Sequence, residues 1–410
     1  MRYVIALLVA SLSAPTLAFD GWLKASYADG FNGDPAYERA LGGHLRHSDE
    51  WQGWRLQAEG RYRWNPGACN YGDASCSAYR STADWRELYL ARDFADWTLS
   101  AGWQQVVWGR ADNLRVFDLV NPLDLRDYVL PDLNDYRIAV PMVRANATLG
   151  DWQMDLLYLP WFEGNDYAAS GSPYDLAIDQ QFAAAGLALA AADKPGRSFN
   201  HGELGVEFTT SLGAMDWSLM AFTTYNDDPV YRYDFSQLQP AMVPSHMRYQ
   251  LLGVGNAIAL DGGWVARSEL TWSPNTPYSR LNSADGTSRN ATFTALLGLD
   301  YSWRDWLLTG QIADRFIDDW QSDFLLPEHQ AFITLSASGN QLSDRLSTRL
   351  ALTLMPQNGD GLWWQWRSIY RPSDDWQLET SLDLLNGQPN GFFGLFSDRD
   401  RLRFELRRYF

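Results

Sequence analysis

The sequence predicts an all-β fold: a transmembrane antiparallel β-barrel of the outer-membrane type, with about eighteen strands, or sixteen as the alternative reading. Three observations carry this. First, the chain opens with a secretory leader and then never supplies a spanning helix. Arg2 gives the positive start, Tyr3 to Leu12 the apolar stretch, and Ser13-Ala14-Pro15-Thr16-Leu17-Ala18 the small-residue cleavage region. The most apolar later run, Phe182 to Ala192, has eleven residues where a transmembrane helix needs about eighteen or more. Second, short runs of alternating apolar and polar residues fill the chain from end to end. Third, seven of the twenty tryptophans sit where a tight turn meets such a run, in Glu50-Trp51, Asp96-Trp97, Asp151-Trp152, Asp216-Trp217, Gly263-Trp264, Asp305-Trp306 and Asp375-Trp376. A soluble sandwich has no reason to place tryptophan there. A barrel does, because amphipathic rings gather where lipid meets water.

Taken in order, the alternation places strands at 20–29, 37–47, 53–64, 83–93, 97–108, 139–149, 152–160, 202–212 and 215–225. The second half follows at 248–260, 263–273, 291–303, 306–316, 329–339, 345–355, 362–371, 375–386 and 401–410. In 53–64, Trp54, Leu56, Ala58, Tyr62 and Trp64 face one way and Arg55, Gln57, Glu59, Arg61 and Arg63 the other. Residues 375–386 oppose Trp376, Leu378, Leu382 and Leu384 to Gln377, Glu379, Ser381 and Asp383. Connections after even-numbered strands are short and those after odd-numbered strands mostly long, the asymmetry of outer-membrane barrels. A sixteen-strand version results if weak strands such as 329–339 are loop. The last strand, RLRFELRRYF, aligns Leu402, Phe404 and Leu406 on one face and closes on Phe410, which resembles the signal read by barrel-assembly machinery. Arg408, third from the end, is the exception where an apolar residue is usual. The expected organisation is a signal peptide at 1–18 and a single barrel at 19–410, with its main external loops at 109–138 and 161–201.

A formal net charge of −17 excludes nucleic acid as a partner, since phosphates would be repelled. It leaves the lipid bilayer as the expected one. Cys69 and Cys76 are the only cysteines, and in an oxidising compartment a small loop disulfide is expected. They have no nearby histidine with which to bind zinc, and no other metal or cofactor motif occurs. The five histidines are scattered, and Glu328-His329, the nearest approach to a catalytic pair, reads as a polar strand end. No enzyme activity is expected.

Candidate functional residues fall in two groups. Assigning the polar face of each strand to the lumen collects Arg55, Arg61, Arg63, Arg144, Arg267, Arg349 and Arg367 with Glu59, Glu269 and Glu379. The signs nearly balance, which fits cross-strand ion pairs better than a selectivity ladder. The second group lies in the thirty residues after the strand that ends near Trp108. A loop that long is uncommon unless it has work to do, and this one mixes Arg110, Asp112, Arg115, Asn121, Asp124 and Arg126 with leucine, valine and phenylalanine. Folded into the barrel mouth, with Trp108 at its root, it would constrict the pore. Farther on, the Ala/Leu-rich run 174–193 suggests a helix in the third long loop.

The run GWQQVVWGRADNLRVFDLVNPLDLRD, followed by Val140-Pro141-Met142, resembles a motif of an uncharacterised family of proteobacterial outer-membrane β-barrels, a domain-of-unknown-function family. The segments GWVARSELTWSPNTP and GFFGLFSDRDRLRFELRRYF are similar to its late strand and C-terminus, so that about a quarter of the chain carries the likeness. Two features depart from it: this chain is shorter than typical members, and the cysteine pair is additional. Members are often encoded beside RND-type exporters and a periplasmic carrier. The resemblance therefore implies those partners, and traffic of lipids or hydrophobic small molecules. The functional expectation is a channel passing a small hydrophobic or amphipathic molecule through a loop-constricted barrel; a general polar-solute porin is the alternative, and a lipid-modifying barrel enzyme a distant third.

Overall fold

The computed structural model describes residues 19–111, 114–131, 133–236, 239–357 and 361–410, and the expected signal peptide lies outside them. Eighteen antiparallel strands close into one barrel. The first nine are β1 (Asp20–Gly30), β2 (Glu38–Trp51), β3 (Trp54–Trp64), β4 (Ser81–Asp93), β5 (Trp97–Gln104), β6 (Val140–Leu149), β7 (Trp152–Leu159), β8 (Glu203–Leu212) and β9 (Met215–Tyr225). The remainder are β10 (Arg248–Leu260), β11 (Trp264–Ser279), β12 (Thr287–Trp303), β13 (Trp306–Ile317), β14 (His329–Gln341), β15 (Leu346–Met355), β16 (Gly361–Ser373), β17 (Trp376–Asn386) and β18 (Arg401–Tyr409). Each pairs with its sequence neighbours, and β18 returns to β1 in a register running from Trp22 opposite Tyr409 to Gly30 opposite Arg401. Phe410 completes the seam, exchanging backbone hydrogen bonds of 3.1 and 3.0 Å with Gly21.

Period-2 alternation sets which side each residue faces. Leu23, Leu45, Leu90, Leu204, Leu297, Leu335 and Leu406 stand exposed around the outside. A continuous apolar band of this kind is stable only against hydrocarbon. Trp51, Trp97, Trp264, Trp303 and Trp376 ring the short-turn end, also exposed. Arg408, the departure from the terminal pattern, lies outward in that girdle with its guanidinium carbon 5.5 Å from the Trp376 ring centroid. There it covers an aromatic face and reaches water.

Three expectations shift. The strand placed at 97–108 leaves the sheet after Gln104, because a side chain from farther along the chain captures the next backbone groups. The long connection expected after residue 273 is mostly sheet: β11 and β12 run on to Ser279 and from Thr287, with a register shift between Ser273 and Thr276. Pro274 has no N–H for the ladder, so the strand bulges there and resumes. The run 174–193 forms only the short helix Ile178–Ala184, with no residue buried. Gly186, at φ +76°, ends it, and Ala188–Leu189 then joins the hairpin Val230–Asp234 and Ala241–Ser245 as a small sheet above the barrel. In the β3–β4 loop, Cys69 and Cys76 are joined as a disulfide.

A closed barrel that no detergent monomer can invade should keep its shape in cold SDS. An unheated sample is therefore expected to run faster than a boiled one on a gel, and identical mobility would contradict closure.

Candidate functional site

The segment 105–139, between β5 and β6, folds into the lumen, and its neck is tied by one side chain. Asn121 is fully buried. Its amide donates to the carbonyls of Gln104 (3.1 Å) and Ile138 (2.8 Å), and its Oδ1 accepts from the Val106 backbone N–H (2.7 Å). One carboxamide thus joins the point where the chain leaves the wall to the point where it returns. Beside it, buried Arg137 grips Asp118 with two nitrogens at 3.0 and 2.6 Å. Arg115 donates to the backbone carbonyls of Asp118 (2.5 Å) and Asn121 (2.7 Å).

Below the neck the segment lies on an apolar patch of the inner wall. Val106, Trp108, Val116, Phe117 and Val120 pack with inward-facing Met142, Leu157, Leu159, Met220, Phe222, Leu251 and Leu296. Glycines make the room: a Cβ on Gly205 would come within 2.7 Å of the Trp108 ring, and one on Gly253 within 2.7 Å of Phe117. Polar anchors fix the register of this contact. Trp108 donates from its indole to Asp155 (2.9 Å), which also takes Arg144 (2.8 Å) and Asn146 (2.9 Å). The Arg110 N–H donates to Glu269 (2.5 Å), its carbonyl accepts from Arg267 (2.7 Å), and its guanidinium reaches Asp216 (3.0 Å), close to the β8–β9 turn. Arg267 also pairs with Asp300.

On the other side, the segment faces a charged wall. Arg63 meets Asp127 (3.2 Å), and Arg61 meets Asp84 (3.2 Å) and, more loosely, Asp124 (3.9 Å). Burial works to raise the Asp124 carboxyl, but the Arg126 guanidinium, 2.6 Å away through Nε, holds it below its ordinary value. Across the barrel seam, Lys24–Glu405 (3.0 Å) and Arg403–Glu38 (3.1 Å) pair up, and on the strands beside it Arg367–Glu379 (2.8 Å) and Arg401–Asp383 (2.9 Å).

Two cavities flank the segment. One, of about 380 Å³, is bordered by this charged wall and extends to Trp22 and Arg407 near the short-turn end. The other, of about 1030 Å³, runs from the long-loop residues Tyr167, Leu176 and Ile178 down to Thr294 and Arg349, and its walls are largely aliphatic and aromatic. Pro131, Tyr136 and Gln365 belong to the walls of both and so stand between the two cavities.

The expected constriction residues therefore separate. Asp124 and Arg126 border the charged cavity and Arg115 the apolar one, whereas Trp108, Arg110 and Asn121 attach the segment; Asp112 lies outside the described residues. Of the wall residues, Glu59, Arg61, Arg63, Arg367 and Glu379 border the charged cavity and Arg349 the apolar one. Arg144, Arg267 and Glu269 hold the segment or its anchors, and Arg55 pairs with Asp93 at the turn end (3.1 Å). His329 pairs with Asp314 (2.7 Å) on the exposed long-loop rim. Sequence reasoning missed Lys24, Glu38 and Arg86, and the whole apolar patch. Its signal was present in strands apolar on both faces, such as Leu156-Leu157-Tyr158-Leu159.

Removing the Asn121 carboxamide orphans three backbone groups at once. At about 1–3 kcal/mol for each buried group left without a partner, Asn121→Ala should loosen the segment by on the order of 3 kcal/mol. Faster proteolysis within 105–139, with unchanged cold-SDS mobility, is the expected readout. A second prediction concerns Asp227, in the β9–β10 loop, whose residual exposure is to the apolar cavity. Burial pushes its carboxyl well above the ordinary 3.8. The folded chain thus keeps this proton at pH values where the unfolded chain has lost it. Stability from this group is complete below that ordinary value and falls as pH rises toward the folded-state one. Asp227→Asn abolishes the loss, so urea midpoints in micelles should be higher than the parent's at about pH 7 and equal to it at about pH 3.

Comparison with known proteins places the chain. Among solved structures, Acinetobacter baumannii OccAB1 matches with a TM-score of 0.56 at 10% identity, over 96% of this chain and 96% of that one. OccAB2 of the same organism matches with a TM-score of 0.53 at 10% identity, over 96% of this chain and 98% of that one. At such identity the likeness is one of fold, an outer-membrane barrel. No curated protein matches in sequence. The model of one family, described as a protein of unknown function (DUF1302), matches residues 44–407, and the chain belongs to that family.

Proposed function

We propose that this protein is an outer-membrane channel that passes a small molecule with a substantial apolar surface, through a lumen narrowed by residues 105–139. The observation that carries this reading is the apolar chamber. A conduit for ions or sugars gains nothing from about 1030 Å³ lined by Leu114, Val116, Phe332, Trp363 and Phe393, whereas an apolar solute leaves water by entering it. With the long loops outside, the route runs from the external face through the chamber, past Pro131 and Tyr136, into the charged cavity toward the periplasm. Much of the segment's apolar side packs on the wall patch, while Leu114 and Val116 also face the chamber, so it narrows the lumen without closing the chamber.

The charged cavity favours a second reading, a general polar-solute porin, because paired arginines and carboxylates line a wet passage in such pores. Planar bilayers separate the two. The parent protein is expected to conduct ions poorly, and deletion of 112–134 to raise conductance severalfold. Large open-channel currents from the parent would favour the polar-solute porin, and a deletion without effect would remove the segment from the pore.

A further inference from the structure

The apolar chamber contains a guanidinium that no carboxylate among the described residues touches. Elsewhere in the lumen, arginines find carboxylates, as Arg63 does in Asp127, Arg144 in Asp155, Arg367 in Glu379 and Arg401 in Asp383. Arg315, on the inward face of β13, does not. Among the described residues it makes no hydrogen bond or ion pair, and its Nε and Nη2 are shielded from water without a partner. Its nearest neighbour of note is the Tyr278 ring, with the guanidinium carbon 5.9 Å from the centroid. The Tyr278 hydroxyl is itself engaged with Thr292 (2.7 Å). Arg349 borders the same chamber, likewise without an ion pair among the described residues. In the ladder it lies opposite Ser338 and Arg367, and Glu379 already holds Arg367 at 2.6 Å.

The chamber's acids, of which Asp228 and Asp314 lie near enough for their charge to be felt at Arg315, make no contact ion pair with either guanidinium among the described residues. Asp228 accepts from Asn165 and Tyr167, Asp175 from the backbone N–H groups of Gly171 and Ala177, and Asp314 pairs with His329. Burial pushes the Asp227 carboxyl well above its ordinary value, and it makes no ion pair with either arginine among the described residues. A guanidinium withdrawn from water without a counter-charge is strongly unfavourable. It is accommodated where an anion arriving from outside completes the pair, and a planar fork of donors suits an oxyanion held by two bonds. The surroundings decide what that anion is attached to. Phe332 stands on β14 opposite Ala313, two pairs along the ladder from Arg315 and so on the same face, and Trp363 and Phe393 continue the surface with ring centroids 6.3 Å apart.

We propose that the chamber is a binding site for an amphipathic anion, a single carboxylate or sulfate group on an apolar body, with the anionic group on Arg315 and the body against Phe332, Trp363 and Phe393. Arg349 supplies a second positive charge lower in the chamber, on which the head group can rest as the molecule moves inward. This deepens the channel reading and rests on it for the chamber's use. Binding is measured without flux, however, so a barrel that binds the anion and passes nothing would overturn the channel alone.

The test uses the full chain in phosphatidylcholine nanodiscs, titrated with decanoate, decanol and inorganic phosphate. Decanoate is expected to bind at least about tenfold more tightly than either of the others, since a charge-assisted pair is worth about 1.5–3 kcal/mol. Arg315→Gln should weaken decanoate by about that factor and leave decanol unchanged. Equal affinities for decanoate and decanol, or for decanoate and phosphate, would overturn the proposal. So would an Arg315→Gln protein, folded by its cold-SDS mobility, that binds decanoate like the parent. If that variant does not fold, the ratio of decanoate to decanol in the parent decides. Replacing part of the phosphatidylcholine with phosphatidylglycerol separates the sources. Lost decanoate binding assigns the site to an anionic bilayer lipid, and retained binding to a soluble amphiphile.

Discussion

Everything in this molecule follows from the return of β18 to β1. In hydrocarbon an unpaired backbone N–H or C=O has no water to turn to, so an open sheet edge there is prohibitive. Pairing Trp22 with Tyr409 and Gly30 with Arg401 removes both edges. Closure also divides the side chains into two environments that never mix. The outward half must be apolar whatever the protein does. The inward half is free to vary, and that freedom is where the function is written.

The lumen uses this freedom asymmetrically. Along β1–β4 and β16–β18 the wall is a lattice of arginines and carboxylates, which stiffens a wide barrel. Along β6–β13 much of the inner face is as apolar as the outer one, with Leu157, Met220, Phe222 and Leu296 turned inward. Such a face could not be left to water. Residues 106–120 cover part of it, seated on glycines in β8 and β10 and held by Trp108–Asp155 and Arg110–Glu269. What they leave uncovered becomes part of the wall of the larger cavity, which a second cluster around Phe332, Trp363 and Phe393 completes.

The barrel itself was legible because its signals are local and repeated. Alternation in Trp54–Trp64 or Trp376–Asn386, tryptophan at the tight turns and the aromatic terminus each repeat a period-2 or turn-by-turn rule that needs no knowledge of distant contacts. Strand ends were less legible: a bulge at Pro274 carries β11 and β12 past their expected limits, and elsewhere a distant group intervenes. Asn121 terminates β5 from seventeen residues away along the chain, and no propensity near Gln104 announces that. The rule that polar faces line the lumen placed Arg61, Arg63, Arg367 and Glu379 beside a cavity. It failed where both faces are apolar, because alternation then carries no information about direction.

By itself, the sequence determined the class, an approximate strand number, the outward apolar set and the segment that breaks the pattern, since each depends on spacing along the chain. Only the tertiary structure decided which residues of that segment attach it and which border space, and which arginines go unpaired. Asn121 and Asp124 look equivalent in the run Asn121-Pro122-Leu123-Asp124, yet one is sealed within the neck and the other borders the charged cavity. Arg315 and Arg367 likewise share a strand-interior setting, but only Arg367 has a carboxylate, Glu379, within reach. The physical reason is that pairing and burial are set by what lies across the barrel and across the ladder. That neighbour belongs to another strand, and only closure fixes which one it is.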